Sequence, residues 1–146
     1  MNILVVQTAR IGDTIQTTPL FHQIRLKYPD AHITVMIRAM SEEVIKANPD
    51  VDDYIIYYED PIFNDIVSRD SDRFLNAYKD VEKLILDLQA RKFHLAYNVT
   101  HSTSSALLMK LAQIPQVIGA SLSEDWQFSL RGPWTVYFFT SVLSRD

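Results

Sequence analysis

Two short polar stretches carry most of the side chains in this sequence that could do chemistry: Thr8-Ala9-Arg10-Ile11-Gly12-Asp13 and Thr100-His101-Ser102-Thr103-Ser104. Each follows an apolar run and leads into a helical pattern. Each therefore offers free backbone N–H groups to an anion or a sugar oxygen. Asp13 has two readings. Aspartate is a favoured helix N-cap, and it is also a carboxylate able to take a proton from a hydroxyl as a general base. Arg10 reads as a solvated surface arginine or as a partner for phosphate or carboxylate. Gly12 is one of three glycines and permits a positive φ or the close approach of a ligand. His101 reads as a loop hydrogen-bonder or as a sugar-binding or acid/base group. Ser102 and Thr103 read as helix caps, because no base–acid pair accompanies them at a spacing that would make either a nucleophile.

Other chemistries lack their residues. The first loop is not G-x-G-x-x-G, so the dinucleotide fingerprint is missing, and no Walker A loop occurs. No acidic pair follows the first apolar run, which disfavours a receiver domain. The chain has no cysteine, which removes disulfides and cysteine-based zinc sites; no other metal-ligand cluster appears. The net charge is -4 with no basic stripe, which argues against a general nucleic-acid binder. The first apolar run is too short for a signal-peptide core, and no segment approaches the ~20 apolar residues that span a bilayer. A cytoplasmic protein is expected, and peripheral contact with the inner membrane is compatible with this.

The elements that must position the two loops follow from the apolar pattern. At 146 residues, 47% hydrophobic and 22% charged, the chain suits one domain with a sizeable core. Five apolar runs, at residues 3–6, 33–37, 54–58, 95–99 and 116–119, predict buried strands. The first two lack alternation, as strands covered on both faces do. Between them lie helical patterns at 41–48, 73–92 and 102–113. In 73–92, Phe74, Tyr78, Val81, Ile85 and Leu88 repeat at spacings of four and three and predict one inner face. A first helix follows Asp13, either starting near Thr17 or Thr18 with Pro19 in its first turn or kinked at Pro19. Residues 59–72 show the least pattern and read either as a disordered loop or as a substrate-contacting loop. Strands alternating with helices predict right-handed βαβ units and a parallel, doubly wound, Rossmann-like α/β sheet in the order 3-2-1-4-5. In such a sheet ligands bind at the carboxyl ends of the strands where the order reverses. That point lies between strands one and four, where the two polar loops meet. Trp126, Phe128, Trp134, Tyr137, Phe138 and Phe139 read as core or domain-interface packing in preference to a surface for lipid or a partner.

Several of these segments in order resemble one family. Residues 3–6, then Ile11-Gly12-Asp13 and Thr17-Thr18-Pro19-Leu20, resemble the opening of the lipopolysaccharide heptosyltransferases, glycosyltransferase family 9. Ile24-Arg25, Tyr28-Pro29, Ile33-Thr34-Val35, Asn48-Pro49, Val51-Asp52, residues 93–98, Thr100-His101-Ser102, Ile114-Pro115 and Ile118-Gly119 continue the resemblance over nearly the whole chain. It implies the N-terminal half of a GT-B fold, in which two Rossmann-like domains face each other across a cleft. This half would hold the acceptor, a lipopolysaccharide core sugar. A C-terminal half would hold the nucleotide-sugar donor, of the ADP-heptose type. Asp13 matches the family's proposed general base for inverting, metal-independent transfer without a cofactor. The two loops would supply acceptor contacts from Arg10, Gly12, Thr100, His101 and Ser102. Some members carry a lysine where this chain has Gln7, which leaves Arg10 as the nearest substitute charge. Family members run to roughly twice this length, as two domains require. The expectation is thus a single acceptor-side domain, residues 1–146, inactive without its donor-binding partner domain and binding no nucleic acid. The alternative is a standalone, non-catalytic module that holds a nucleotide or phosphorylated sugar.

Overall fold

A computed structural model describes residues 1–132 of the chain. Strand β1 (Asn2–Gln7) is followed by α1 (Ile11–Lys27) and β2 (His32–Ile37). A short 3-10 turn (Ala39–Ser41) and α2 (Glu42–Lys46) lead to β3 (Asp53–Ile56). Two helices, α3 (Glu59–Val67) and α4 (Ser71–Ala90), precede β4 (Leu95–Asn98). The remainder is α5 (Thr103–Leu111), β5 (Val117–Leu122) and β6 (Phe128–Arg131). The sheet order is β3-β2-β1-β4-β5-β6, with the first five strands parallel and β6 antiparallel to β5. The order expected for the five parallel strands is the one observed.

Both faces of the sheet are covered, and the residues of β1 show how. Ile3 and Val5 join Phe21, Ile24, Ile33, Val35 and Ile45 in one apolar layer against α1 and α2. Leu4 and Val6 join Met36, Leu88, Leu108 and Met109 in the other, against α4 and α5. Successive side chains of a strand point to opposite faces, so a strand buried on both sides is apolar throughout.

Three elements differ from the sequence reading. Helix α1 begins at Ile11, so Pro19 lies in its interior. Proline cannot donate to the carbonyl four residues back; here that carbonyl, on Ile15, accepts the Thr18 hydroxyl at 2.8 Å instead. Residues 59–72 are not a loop: α3 occupies most of them, and Asp70 caps α4 by accepting from the N–H groups of Asp72 and Arg73. Strand β6 was not expected. It pairs through a tight turn in which Trp126 takes a left-handed φ of 62. That turn leaves Trp126 57% and Phe128 44% exposed, with the Lys110 ammonium 5.6 Å from the Trp126 ring centroid. These two aromatics are therefore not core, while Trp134, Tyr137, Phe138 and Phe139 lie outside the described residues.

With so few glycines, the left-handed positions closing α3, α4 and α5 fall on Arg69, Lys92 and Gln113, where glycine is usual. Gly119 has a use that no other residue could fill. At φ +99, a Cβ there would lie 2.1 Å from the Asn98 carbonyl oxygen on the neighbouring strand β4.

Candidate functional site

The loops after β1 and β4 are fastened side by side. The Thr8 N–H donates to the Thr100 hydroxyl at 2.7 Å, and that hydroxyl reaches the Val6 carbonyl at 3.3 Å. Gln7 is buried and turns its side chain back over the first loop. Its Nε2 donates to Thr17 Oγ1 at 2.9 Å, and its Oε1 accepts the Ala9 N–H at 3.3 Å. From β4, the fully buried Asn98 donates to the Ala120 carbonyl at 2.8 Å and to Ser105 Oγ at 3.0 Å. Its Oδ1 accepts the Thr100 N–H at 3.2 Å. A polar group buried without a partner is costly, so this set fixes both loop paths.

Between the loops lies a cleft of ≈ 500 Å³ lined by Gln7, Ala9, Asp13, Gln16, Thr17, Val99, Thr100, His101 and Ser102. Of the residues selected from the sequence, Asp13, Thr100, His101 and Ser102 are thus brought together. Arg10 and Gly12 stand exposed beside the cleft and are not among its lining residues. Gly12 has no positive φ; open space surrounds the position where a Cβ would stand.

Helix α1 is capped differently from the simple Asp13 cap considered above. Arg10 is the N-cap residue, and its side chain has no acceptor atom. Asp13, three residues on, reaches back so that its Oδ2 accepts the Arg10 N–H at 3.1 Å. This is the reciprocal half of a capping box, and it places a carboxylate where the helix dipole favours one. Oδ1 has no hydrogen-bond partner among the described residues. Partial burial holds the His101 imidazole below its ordinary pKa of 6.5, while the Asp13 carboxylate pulls it the other way. Ser102 is the N-cap of α5, its hydroxyl accepting the Ser105 N–H at 3.1 Å. Thr103 is the first residue of that helix.

Residues that sequence reading missed tether this edge. Glu59 accepts from Ser104 Oγ at 2.9 Å and from Arg38 Nη2 at 2.7 Å. One carboxylate, at the start of α3, therefore links the segment after β2 to the first turn of α5. A lone glutamate in a stretch without periodicity carries no signal for such a role. Gln16 was equally silent, since an uncharged side chain on a helix face reads as ordinary surface, and Gln7 and Thr17 entered the sequence reading without a role in the site. A second cleft of ≈ 430 Å³ lies against α3 and α4, lined in part by Tyr57, Tyr58, Ile62 and Leu84, and holds none of the selected residues. Burial pushes the Tyr57 phenol there up to about 12. Among the described residues, no group of three or more His, Asp or Glu could hold a metal ion, and no helix is long and apolar enough to cross a membrane.

In fold this is an α/β domain like those of solved glycosyltransferases. The chain is similar to E. coli ADP-heptose lipopolysaccharide heptosyltransferase II, with a TM-score of 0.63 and 25% identity over 82% of this chain and 30% of that one. It is similar in fold to a glycosyltransferase family 9 protein of Veillonella parvula, with a TM-score of 0.67 and 23% identity over 82% of this chain and 32% of that one. The same holds for E. coli heptosyltransferase WaaC with ADP, with a TM-score of 0.65 and 17% identity over 94% of this chain and 40% of that one. The chain thus spans about a third of the length of these solved structures. No family model and no curated protein sequence matches it. The Rossmann-like doubly wound sheet expected from the sequence, of the kind found in the heptosyltransferases, is the fold observed.

Proposed function

We propose that this domain is the acceptor-side half of an inverting glycosyltransferase that moves a heptose-type sugar from a nucleotide-sugar donor to a lipopolysaccharide core acceptor. The observation that carries the reading is the state of Asp13. Its carboxylate lines the cleft at the switch point, with one oxygen anchored by the Arg10 N–H and the other without a partner among the described residues. In the reaction the acceptor hydroxyl oxygen bonds to the anomeric carbon, and its proton passes to Asp13. The bond from that carbon to the diphosphate oxygen breaks on the opposite face, and the diphosphate leaves with the electron pair. A hydroxyl attacks well only as its proton is removed, and such help is worth ~10²–10⁴-fold. His101 and Ser102 border the same space and would orient the acceptor; Arg10, exposed beside it, would meet an acceptor phosphate or carboxylate. A second domain would bind the ADP-heptose-type donor, and holding both substrates in line accounts for much of the remaining acceleration. This domain alone would not catalyse transfer.

The test is an NMR titration of this chain with a deacylated, phosphorylated inner-core oligosaccharide and, separately, with ADP and ADP-heptose. Saturable shifts at Arg10, Asp13 and His101 with the oligosaccharide alone are expected. Saturable shifts with ADP would instead identify a self-contained nucleotide-binding module and end the division of labour. In the two-domain enzyme, Asp13→Asn should lower transfer by at least ~10²-fold with the fold intact. Substantial transfer by that variant would remove Asp13 as the base.

A further inference from the structure

Three hydroxyls line the Asp13 cleft, those of Thr17, Thr100 and Ser102. A hydroxyl has one proton and two lone pairs, so what it shows a ligand depends on where its proton already goes. Two of the three are settled by a backbone carbonyl. Thr17 Oγ1 donates to the Asp13 carbonyl at 2.7 Å and accepts from Gln7 Nε2 at 2.9 Å. Thr100 Oγ1 donates to the Val6 carbonyl at 3.3 Å and accepts the Thr8 N–H at 2.7 Å. A carbonyl oxygen can only accept, so neither threonine has a proton left for the cleft.

Ser102 is settled from farther away. Its Oγ stands 3.0 Å from Ser104 Oγ, a contact in which either oxygen could donate. Ser104 Oγ in turn lies 2.9 Å from Glu59 Oε1, and Glu59 Oε2 takes Arg38 Nη2 at 2.7 Å. A carboxylate ion-paired with a guanidinium only accepts, so the Ser104 proton goes to Glu59. The proton between the two serines must then come from Ser102. Ser102 Oγ also accepts the Ser105 N–H at 3.1 Å, which leaves it one lone pair and no proton. Glu59 and Ser104 are not among the cleft-lining residues, so the carboxylate acts through the serines and not on a ligand. Asp13 adds an oxygen without a partner among the described residues. The side-chain oxygens of Asp13, Thr17, Thr100 and Ser102 therefore meet a ligand as acceptors. Their complement is a group with protons to give, as a hydroxyl is and a phosphate dianion is not.

We infer that Glu59 is a positioning residue that fixes Ser102 as a hydrogen-bond acceptor, so that the cleft selects a ligand presenting a second hydroxyl besides the one that faces Asp13. The identity of that ligand as an acceptor sugar rests on the function proposed above. Glu59→Gln inverts the arrangement at nearly constant shape. Arg38 claims the single amide oxygen, the new amide N–H donates to Ser104, Ser104 donates to Ser102, and Ser102 is left with a proton for the cleft. Ser104→Ala cuts the chain and frees the same proton. Asp60→Asn is the control: Asp60 meets Arg38 Nη1 at 3.4 Å, and its loss removes a charge beside Glu59 without touching the serines.

The experiment is an NMR titration of the full 146-residue chain with the deacylated inner-core oligosaccharide and with its monodeoxyfluoro analogues. Fluorine keeps roughly the size of a hydroxyl but has no proton to give. At least one analogue should bind the parent and Asp60→Asn about tenfold more weakly than the oligosaccharide does. Glu59→Gln and Ser104→Ala should bind that analogue as tightly as they bind the oligosaccharide, with melting curves that show them folded. If Glu59 is only a tether, Glu59→Gln weakens every ligand by one factor and the ratio persists, which overturns the inference. So does a parent that binds all analogues and the oligosaccharide alike. The proton order is also read without ligand. In mixed H2O and D2O, a serine whose hydroxyl proton is held in a hydrogen bond and exchanges slowly shows a split Cβ resonance. Ser102 should be split in the parent and single in Glu59→Gln; a single line in the parent overturns the inference. A parent that shows the split line yet binds no oligosaccharide overturns instead the acceptor reading, and the selection of a sugar hydroxyl with it.

Discussion

Replacing Asn98 by alanine tests whether the cleft is held by hydrogen bonds or by packing. The side chain is fully buried, and its three bonds go to the Ala120 carbonyl on β5, Ser105 Oγ on α5 and the Thr100 N–H in the site loop. A net worth of about 0.5–1.5 kcal/mol per bond predicts a loss of about 2–4 kcal/mol, because the groups left behind remain buried. For a chain of this size that is a fall in Tm of about 6–12 °C. Urea denaturation should show a lower midpoint with an unchanged slope, and the His101 ring resonances should shift as Thr100 is released. Asn98→Asp sharpens the test. It keeps the volume but turns a carboxylate oxygen toward the Ala120 carbonyl, so near neutral pH it should be at least as destabilising as alanine. A buried acid of this kind has a raised folded-state pKa. Its penalty should therefore shrink as pH falls and the protonated acid donates again. A loss below about 1 kcal/mol for Asn98→Ala, or an aspartate variant as stable as the parent near neutral pH, would refute this account of how the loops are fixed.

Gly119→Ala should be more damaging than any conservative change nearby. Its Cβ would meet the Asn98 carbonyl oxygen at 2.1 Å with φ at +99, a conformation L residues rarely adopt. A loss of more than about 3 kcal/mol, or failure to fold, is expected in a denaturation series; near-parental stability would show that β4 and β5 can part at little cost. His101 should titrate below 6.5 by NMR, and Asp13→Asn should lower its midpoint further by removing the charge that opposes desolvation. Because its folded-state pKa lies below the unfolded value, the associated stability is complete above about 6.5 and declines as pH falls toward the folded value. A midpoint indifferent to Asp13 would place the two side chains too far apart to share a substrate, and one above 6.5 would show that desolvation is not the dominant influence on His101.

The parallel core was legible because its strands are buried on both faces: no polar residue interrupts residues 3–6, and the periodic helices between the strands leave one topology open. Legibility failed where tertiary context replaced local pattern. Residues 59–72 hid α3 because three of its four large apolar side chains, Phe63, Ile66 and Val67, face outward, which leaves no clear inner stripe. The 73–92 pattern did predict α4, but the face it buries runs through Ala77, Leu84 and Leu88, so Phe74 and Tyr78, read as inner from spacing, stand exposed. Strand β6 is four residues long and begins after a left-handed tryptophan, a position where composition predicts glycine or asparagine.

Asp13 shows why a site residue is harder to read than a strand. As an N-cap it would spend its carboxylate on its own helix, so capping and catalysis looked like competing uses. The observed helix starts at Ile11, three residues earlier than an Asp13 cap implies, which moves Asp13 from the cap to the third position. From there a single oxygen reaches back to the Arg10 N–H. The other oxygen has no hydrogen-bond partner among the described residues, and the carboxylate, which lines the cleft, is held in orientation by the first. Under the proposed function, structural anchoring and proton abstraction would use different atoms of one side chain, so the alternatives in the sequence reading are compatible once the helix start is known. A glutamate at the same position would extend the carboxylate by one methylene and lose either the anchor or the approach to the acceptor. Asp13→Glu should therefore preserve α1 while sharply reducing transfer in the two-domain enzyme.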